Sequence, residues 1–195
     1  MHLAPARRLV SLPTVSCDCN AQPISTSTMT EPSSLPYRPC AGVMLLNADG
    51  HVFVGRRSER KGASEGEGRW WQMPQGGIDK GEEAEDAARR ELWEETGVRN
   101  ATFLAQTEDW LVYDLPAELV GVAWKGKYRG QKQMWYAARF EGAEHEINLK
   151  PRPDHKAEFD AWRWVPMADL PALVVPFKRA VYATVIETFA SLSLE

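Results

Sequence analysis

The run from Glu82 to Thr96 constrains the fold of this chain more than any other segment. It contains no helix breaker and many good helix formers, and Gly97 follows it where a left-handed C-terminal cap belongs. These features predict a helix over residues 82–96. Such a helix must bury one face against another layer of the fold.

Segments on both sides of this helix have the patterns of strands. Two β-rich runs, Val43 to Leu46 and Val52 to Val54, flank the Asp49-Gly50 pair, which is a strong hairpin signal. The stretch "KYRGQKQMWYAARF" has a strand-like second half, and "AWRWV" predicts another short strand. Apolar residues then recur every fourth position in a closing amphipathic helix: Phe177, Val181, Val185 and Phe189. Together these elements predict an α/β fold, an α/β/α sandwich around a mixed β-sheet.

The two ends of the chain differ in composition. Residues 1–35 are rich in Ser, Thr and Pro and have no sustained period, which predicts a disordered N-terminal tail. Met29 is an alternative start that would shorten this tail. Residues 36–195 are predicted to form one domain, because a segment of this length can bury a substantial core.

Composition narrows the surroundings of the protein. A hydrophobic fraction of 44% with 26% charged residues is typical of a globular protein. No stretch approaches the roughly 18 consecutive apolar residues of a membrane span, so no membrane partner is expected. The odd set Cys17, Cys19 and Cys40 lacks a C-x-x-C pair, which predicts neither a disulfide partner nor a zinc site. Reduced thiols favour a cytoplasmic location.

Negative charge is concentrated in one segment. Residues 79–95 hold eight acidic and three basic residues, a local charge of −5, whereas the whole chain carries −4 and the remainder is therefore +1. An acidic focus in a slightly basic body favours a cation-binding centre that faces an anionic substrate.

Three glutamates in this segment lie at the unfavourable end of the predicted helix. Glu91, Glu94 and Glu95 fall in its last turn, where the helix dipole is already negative. On a helical projection they lie within about 100° of one another. They share this face with a stripe of small residues: Ala84, Ala87 and Ala88. The carboxylates are therefore expected to point at the protein.

A bound cation would offset this accumulation of charge. Arg90 is spaced to pair with Glu94, but the spacing leaves Glu91 and Glu95 without a helical base. Oxygen ligands without paired His or Cys select a hard ion, so Mg²⁺ or Mn²⁺ is favoured over Zn²⁺. Because Mg²⁺ is commonly held by carboxylates together with substrate phosphates, phosphoryl or pyrophosphate chemistry is indicated. A solvated acidic helix face is the alternative interpretation.

The fixed positions around these glutamates resemble a Nudix box. They are Gly76, then Glu82 after five residues, Arg90-Glu91-Leu92 after seven more, then Glu94-Glu95 and Gly97-Val98, each after one residue. On this pattern the chain is identified as a member of the Nudix hydrolase family. The resemblance implies the Nudix α/β/α sandwich and hydrolysis of a nucleoside diphosphate linked to another group, with Mg²⁺ or Mn²⁺ as cofactor.

Further segments resemble the bacterial RNA pyrophosphohydrolases, also described as dinucleoside polyphosphate hydrolases. They are "YRP", "VGRR", "WQMPQGGID", "GQKQMWY", "EINL", "EFDAWRWV" and "VPFKRAVY". The implied reaction converts 5′-triphosphorylated or diphosphorylated RNA to the 5′-monophosphate and so promotes mRNA decay. Dinucleoside polyphosphates such as diadenosine tetraphosphate are the alternative substrates. A non-catalytic nucleotide-binding module is a third hypothesis, which the loss of a box glutamate would have supported.

The resemblance also implies roles for individual residues. It makes Glu91, Glu94 and Glu95 metal ligands, with Glu158 as a further acidic ligand from outside the box. Together with Arg90, the three box glutamates form the expected catalytic set, and Glu91 is expected to lie nearest the attacking water.

Substrate contacts follow in the same way. Arg38 and Arg57 match phosphate-binding arginines, and the Gly76-Gly77 turn adjoins them. Val175, Phe177 and Lys178 match the place where the 5′-terminal base is held, although Phe177 also fits the apolar stripe of the closing helix. A basic patch has two open interpretations, RNA backbone contact or solvated surface: Lys127, Arg129 and Lys132.

Overall fold

The computed structural model describes residues 34–58, 70–152 and 156–193. The predicted tail therefore lies outside the described residues, except for its last two positions. Cys40 is a buried free thiol, whereas Cys17 and Cys19 also lie outside these ranges. In the described ranges, no helix is long and apolar enough to cross a membrane.

Eight strands in the described part of the chain form one mixed sheet. They are β1 Tyr37–Leu46, β2 Val52–Arg57, β3 Trp71–Gln72, β4 Gln75–Gly77, β5 Ala101–Gln106, β6 Leu111–Asp114, β7 Gly130–Phe140 and β8 Phe159–Val165. The main order is β3-β2-β1-β7-β5, while β4 pairs with β1, β6 with β7 and β8 with β2. Only the β1–β7 pair among these is parallel, and it aligns the two longest strands over ten residue pairs.

Helices cover both faces of this sheet. They are α1 Ala84–Thr96, α2 Leu170–Leu173 and α3 Arg179–Phe189. Side chains alternate along β1, so that Val43 packs in one apolar cluster with Leu92 of α1, and Met44 packs in the other with Val185 of α3. The predicted α/β/α sandwich around a mixed sheet is thereby confirmed.

Helix α1 ends where the sequence predicts and begins two residues later than predicted. Gly97 is left-handed (φ 81°), and its N–H donates to the carbonyl four residues earlier at 2.8 Å. At the other end Glu83 is extended (φ −74°, ψ 150°). The side chain of Glu82 accepts a hydrogen bond from the Asp79 N–H at 2.8 Å, which holds this residue in the preceding turn.

The predicted β1–β2 hairpin is present but short. The two strands pair only at Leu46 and Val52, across a turn in which Gly50 is left-handed (φ 73°). Beyond the turn β2 pairs with β8, and β4 pairs with β1 in its place, with Gly42 opposite Gln75. This exchange brings the glycine-rich segment before α1 against the middle of the sheet.

The strands β7 and β8 extend further than their sequence patterns, whereas the closing helix begins later than predicted. Strand β7 includes the first half of the "GQKQMWY" segment as well as the apolar half, and β8 includes the predicted "AWRWV". The closing helix begins at Arg179, and Phe177 lies just before it in the short 3-10 turn Pro176–Lys178. Strands β3, β4, β5 and β6 were not predicted.

Candidate active site

The glutamates at the end of α1 face the interior. The side chain of Glu91 is 14% exposed and that of Glu94 is 8% exposed. Burial is the main cause of a raised pKa at Glu91, and the neighbouring Glu94 charge raises it further. These carboxylates are therefore not part of a solvated acidic face.

Arg90 connects three of the box carboxylates. Its Nη1 donates to Glu94 Oε2 at 3.0 Å, as the spacing predicts, and to Glu91 Oε1 at 2.8 Å. Its Nε and Nη2 each donate to the Glu82 carboxylate at 2.8 Å, and Nη2 also reaches the Gly77 carbonyl at 2.8 Å. The expectation that Glu91 lacks a helical base is wrong, because the planar guanidinium fork reaches its immediate neighbour as well as position i+4.

These contacts shift the titration of the partners. The hydrogen bond from Arg90 holds the pKa of the Glu82 carboxyl below its usual range. The hydrogen bond from Arg90 also opposes the effect of burial at Glu91. The pKa of Arg90 itself is raised, chiefly by the hydrogen bond to Glu82. Arg90 is thus the local counter-charge of the box.

Glu95 pairs with no helical base among the described residues, as its spacing predicts. Its described hydrogen bond comes from the Gln75 backbone N–H to Oε2 at 3.0 Å. Burial raises the pKa of Glu95 well above its ordinary value, and the charges of Glu158 and Glu91 raise it further. An ionised Glu95 is therefore destabilised unless positive charge is brought close to it.

The two glycines of β4 lie against groups of opposite charge, the Glu91 carboxylate and the Arg38 guanidinium. A side chain at Gly76 would collide with the carboxylate of Glu91, and a side chain at Gly77 would collide with the guanidinium of Arg38. Successive residues of a strand face opposite ways, so the two glycines bring carboxylate and guanidinium close to opposite sides of β4.

Arg57 and Glu158 form an ion pair beside the box. Arg57 Nη2 lies 2.5 Å from Glu158 Oε1, and both side chains are about one-third exposed (34% and 38%). The preceding residue, Arg56, faces away and pairs with Asp160 at 2.7 Å. Glu158 is coupled to Glu95 electrostatically, since its charge raises the pKa of Glu95.

The donor set fits a hard cation, although three of its four carboxylates are paired with arginines. Across residues 34–58, 70–152 and 156–193, no three His, Cys, Asp or Glu side chains converge as a ready-made metal cluster. The nearby donors are all carboxylate oxygens, which suit a hard divalent ion: Glu91, Glu94, Glu95 and Glu158. Binding of such an ion would replace arginine contacts by metal–oxygen bonds.

A buried lysine and two aromatic rings lie near the carboxyl end of α2. Lys178 is 5% exposed, and its Nζ lies 5.5 Å from the centre of the Tyr113 ring. The Phe177 and Tyr113 rings are 5.5 Å apart. Burial lowers the pKa of Lys178 to about 8, and the charge of Arg57 contributes to this shift. Phe177 and Val175 are partly buried against the α3-side cluster, so both contact the core and retain exposed surface.

The predicted basic patch divides between different contacts. Lys132 places its Nζ 4.8 Å from the centre of the Trp110 ring. It lies opposite Pro39 in the β1–β7 register, whereas Gln131 lies opposite Arg38. Alternation along the strand therefore places Lys132 on the opposite sheet face from Arg38, and the structure does not bring these two residues together. Arg129 pairs with Asp114 at 2.8 Å.

Sequence reasoning missed a buried polar chain next to the box. Gln133 is fully buried, donates to Gln75 Oε1 at 3.0 Å and accepts from Trp135 Nε1 at 3.1 Å. It also donates to Gln131 Oε1 at 2.9 Å. The signal that could have revealed it is the alternation of Gln131 and Gln133 along β7, which places both side chains on the same face of the strand as the apolar Trp135 and Ala137. These hydrogen bonds connect to the box glutamates through Gln75, whose backbone N–H donates to Glu95.

Comparison with known proteins finds a matching family model and similar relatives. The NUDIX domain model matches residues 36–185. The RNA pyrophosphohydrolase of Brucella ovis is 57% identical over 170 residues, covering 86% of this chain and 96% of the relative. The RNA pyrophosphohydrolase of Agrobacterium fabrum is 59% identical over 162 residues, covering 82% of this chain and 95% of the relative.

Solved structures share the fold at low sequence identity. The dihydroneopterin triphosphate pyrophosphohydrolase of E. coli superposes with a TM-score of 0.56 at 20% identity, covering 78% of this chain and 99% of that chain. The Ap4A hydrolase of C. elegans, in a binary complex, superposes with a TM-score of 0.55 at 17% identity, covering 79% and 98%. At such identities the similarity shows the fold alone.

Proposed function

The chain belongs to the NUDIX domain family, and on that premise we propose that it is an RNA 5′-pyrophosphohydrolase. It removes pyrophosphate from 5′-triphosphorylated RNA and leaves the 5′-monophosphate. The observation that carries this proposal is the 57% and 59% identity to proteins named RNA pyrophosphohydrolase across most of this chain. We further propose that the reaction takes place in the cytoplasm, where the monophosphorylated product promotes mRNA decay.

The proposed metal ligands are the box glutamates and one residue outside the box. Nudix hydrolases generally use divalent metal ions, and we propose Mg²⁺ or Mn²⁺ here because the donors are carboxylates. The ligands are Glu91, Glu94, Glu95 and Glu158. When bound, the ion supplies charge that polarises the phosphoryl group and lowers the pKa of a coordinated water. The raised pKa of Glu95 supports this role, because a buried carboxylate without a basic partner gains most from a cation.

Arg90 acts as the positioning group of the site. It holds Glu91 and Glu94 through one nitrogen and fixes its own fork on Glu82 and the Gly77 carbonyl. Side chains locked in this way keep their carboxylates aligned for metal and water. We propose that Glu91 is the carboxylate nearest the attacking water.

The proposed triphosphate site consists of two arginines and the β4 glycines. Arg38 lies against Gly77, and Arg57 lies beside the Glu158 carboxylate. Guanidinium groups bind phosphate oxygens in pairs. Without side chains, Gly76 and Gly77 let the Glu91 carboxylate and the Arg38 guanidinium pack directly against the backbone of β4.

The proposed site for the 5′-terminal base consists of Val175, Phe177 and Lys178. Phe177 retains exposed surface beside Tyr113, and an aromatic ring beside a cation forms a base platform that tolerates different sequences. We leave Lys132 out of the triphosphate site, because its strand register sets it on the face opposite Arg38.

Side-by-side turnover of triphosphorylated RNA and diadenosine tetraphosphate tests the proposal. The full chain with Mg²⁺ is expected to release pyrophosphate from RNA, and Glu94→Gln is expected to abolish this release. Glu85→Gln is the matched control, because Glu85 is an exposed residue of the same helix that pairs with Arg89. If RNA lost no pyrophosphate while the dinucleotide was cleaved, the dinucleotide would replace RNA as the substrate. Unchanged turnover in Glu94→Gln would contradict the metal-site assignment.

A further inference from the structure

The carbonyl end of α1 is closed by a segment that follows β7. Helix α1 has no basic residue in its own last turn, although Glu94 and Glu95 add negative charge there. The last four carbonyls of a helix have no partner within the helix. Two of these carbonyls, those of Trp93 and Thr96, accept hydrogen bonds from residues 148–152.

Arg152 makes the side-chain contact with this end of the helix. Its Nε donates to the Trp93 carbonyl at 2.9 Å, and the same carbonyl accepts the Gly97 N–H at 2.8 Å. The Asn148 N–H donates to the Thr96 carbonyl at 2.7 Å. The carbonyl end of α1 is therefore capped from outside the helix as well as by its own glycine.

The Arg152 guanidinium is held on three sides. Its Nη2 donates to the Asn148 carbonyl at 2.9 Å, and its Cζ lies 4.9 Å from the centre of the Trp93 ring. A side chain at Gly97 would collide with Nη2, so the glycine leaves the space that the guanidinium occupies. Within the described ranges, no carboxylate pairs with Arg152. Its charge therefore faces the negative end of the helix dipole, where a cation is favourable.

This contact falls on the turn that carries two of the proposed metal ligands. Trp93 immediately precedes Glu94 and Glu95, whereas Glu91 lies earlier in the helix and is held by Arg90. Helix ends fray, and fraying of this turn would move the two later carboxylates relative to Glu91. A metal site needs its ligands within a fraction of an ångström of their productive positions. The last turn of α1 must therefore stay helical for the cation to bind.

We propose that Arg152 is a positioning residue for the divalent cation. Its hydrogen bonds go to backbone carbonyls rather than to the box carboxylates, so it acts through the helix. By binding the Trp93 carbonyl it keeps the last turn of α1 closed, and this turn holds Glu94 and Glu95 towards the cation. The inference rests on the proposed function, because that function assigns these glutamates to the metal.

Matched variants separate this role from loss of charge and from loss of stability. Arg152→Met keeps much of the side-chain bulk but removes the donor and the charge. Arg99→Met is the control for charge, because Arg99 also lies over the Trp93 ring, with Cζ 4.4 Å from its centre, and its side chain forms no described hydrogen bond to α1. Val185→Ala is the control for stability, because it removes buried bulk from α3 on the other face of the sheet.

Binding of Mn²⁺ to the full chain without substrate measures the effect. Free Mn²⁺ is titrated by electron paramagnetic resonance well below the melting temperature of each variant, and thermal denaturation without metal gives the stability of each fold. Loss of a group that orients metal ligands typically weakens metal binding by about 10- to 100-fold, so Arg152→Met is expected to raise the Kd of Mn²⁺ at least about tenfold. Arg99→Met and Val185→Ala are expected to bind Mn²⁺ as the wild type does. Glu94→Gln is expected to lose this binding, which locates the ion at the box.

Each outcome supports or overturns the inference. An unchanged Kd in Arg152→Met overturns it at any melting temperature, because the arginine would then only stabilise the fold. An equal rise in Arg99→Met or in Val185→Ala overturns it as well, because charge alone or stability alone would explain the effect. Arg152→Gln is a polar replacement for this half-buried position. It is measured in the same way if Arg152→Met does not fold, and an unchanged Kd there is equally decisive.

This test is distinct from that of the proposed function, because it requires no turnover. If the wild-type chain binds Mn²⁺ at the box but releases no pyrophosphate from RNA, the proposed function is wrong, and the Kd values still decide the role of Arg152. If the wild type binds no Mn²⁺, or if Glu94→Gln binds it equally well, the metal site is wrong and the inference falls with it.

Discussion

Replacing the buried Lys178 by methionine is expected to stabilise the fold at neutral pH while weakening the substrate site. The lysine is 5% exposed, and its Nζ lies 5.5 Å from the centre of the Tyr113 ring. Burial lowers its pKa from 10.5 to about 8, and the like charge of Arg57 adds to this. The native state therefore contains an ammonium group that would be better solvated in the unfolded chain.

The magnitude follows from the shift in pKa. Because the folded pKa lies below the unfolded one, both states are protonated below about pH 8, and the fold bears the whole penalty there. Between about pH 8 and 10.5 the native lysine loses its proton first, and stability recovers. A shift from 10.5 to about 8 corresponds to a penalty on the order of 3 kcal/mol at pH 7. Methionine keeps similar bulk without the charge.

Urea denaturation at pH 7 and pH 10 measures this effect. Lys178→Met is expected to raise the free energy of unfolding by up to about 3 kcal/mol at pH 7 and by much less at pH 10. Lys150→Met, at an exposed position, is the control and should change stability by no more than about 0.5 kcal/mol at either pH. A loss of stability at pH 7, or an equal gain at both values, would refute the reasoning. The same variant should raise KM for triphosphorylated RNA.

Three further predictions concern the box and the turn between β6 and β7, where Lys125 has a left-handed backbone (φ 61°). Gly76→Ala should lower kcat at least about tenfold in steady-state assays, because the new methyl group displaces the Glu91 carboxylate. Arg90→Lys should lower the free energy of unfolding by about 1–3 kcal/mol in urea titrations, since a single ammonium cannot hold three carboxylates. Lys125→Gly should raise the melting temperature, with a net gain of up to about 1 kcal/mol, because glycine removes the left-handed penalty of an exposed side chain. An unchanged kcat, unchanged stability or a lower melting temperature, respectively, would contradict them.

Elements defined by local sequence were the predictable ones. Helix α1 has its formers, its glycine cap and its shared carboxylate face within one segment, and all of these are in the structure. Strand β5 shows why others were missed. Its residues Ala101–Gln106 are mostly exposed, and the strand exists because it pairs with β7. Strand β4 likewise exists because β2 turns away to pair with β8, and β4 then pairs with β1.

The same distinction applies to the candidate site. The Arg90–Glu94 contact is a helical i,i+4 pair and follows from spacing. The contacts of Arg90 with Glu82 and the Gly77 carbonyl depend on how the preceding turn folds back onto the helix. The position of Trp124 over Arg38 joins residues far apart in sequence, through a turn with an unusual backbone. No local pattern carries that information, so only the structure supplies it.

Several features of this protein that oppose folding lie around one site. Lys178 is buried with its charge, Glu95 is a buried carboxylate with a strongly raised pKa, and Trp124 lies in a left-handed turn. The two charged groups act on each other, because the charge of Glu95 raises the pKa of Lys178, whereas burial lowers it. Unfavourable groups scattered at random would be removed by substitution without loss, whereas groups that bind ligands are kept because the ligand offsets their cost. A cation near Glu95 and an anion near Lys178 are the two ligands that would do so, and a metal-bound polyphosphate supplies both.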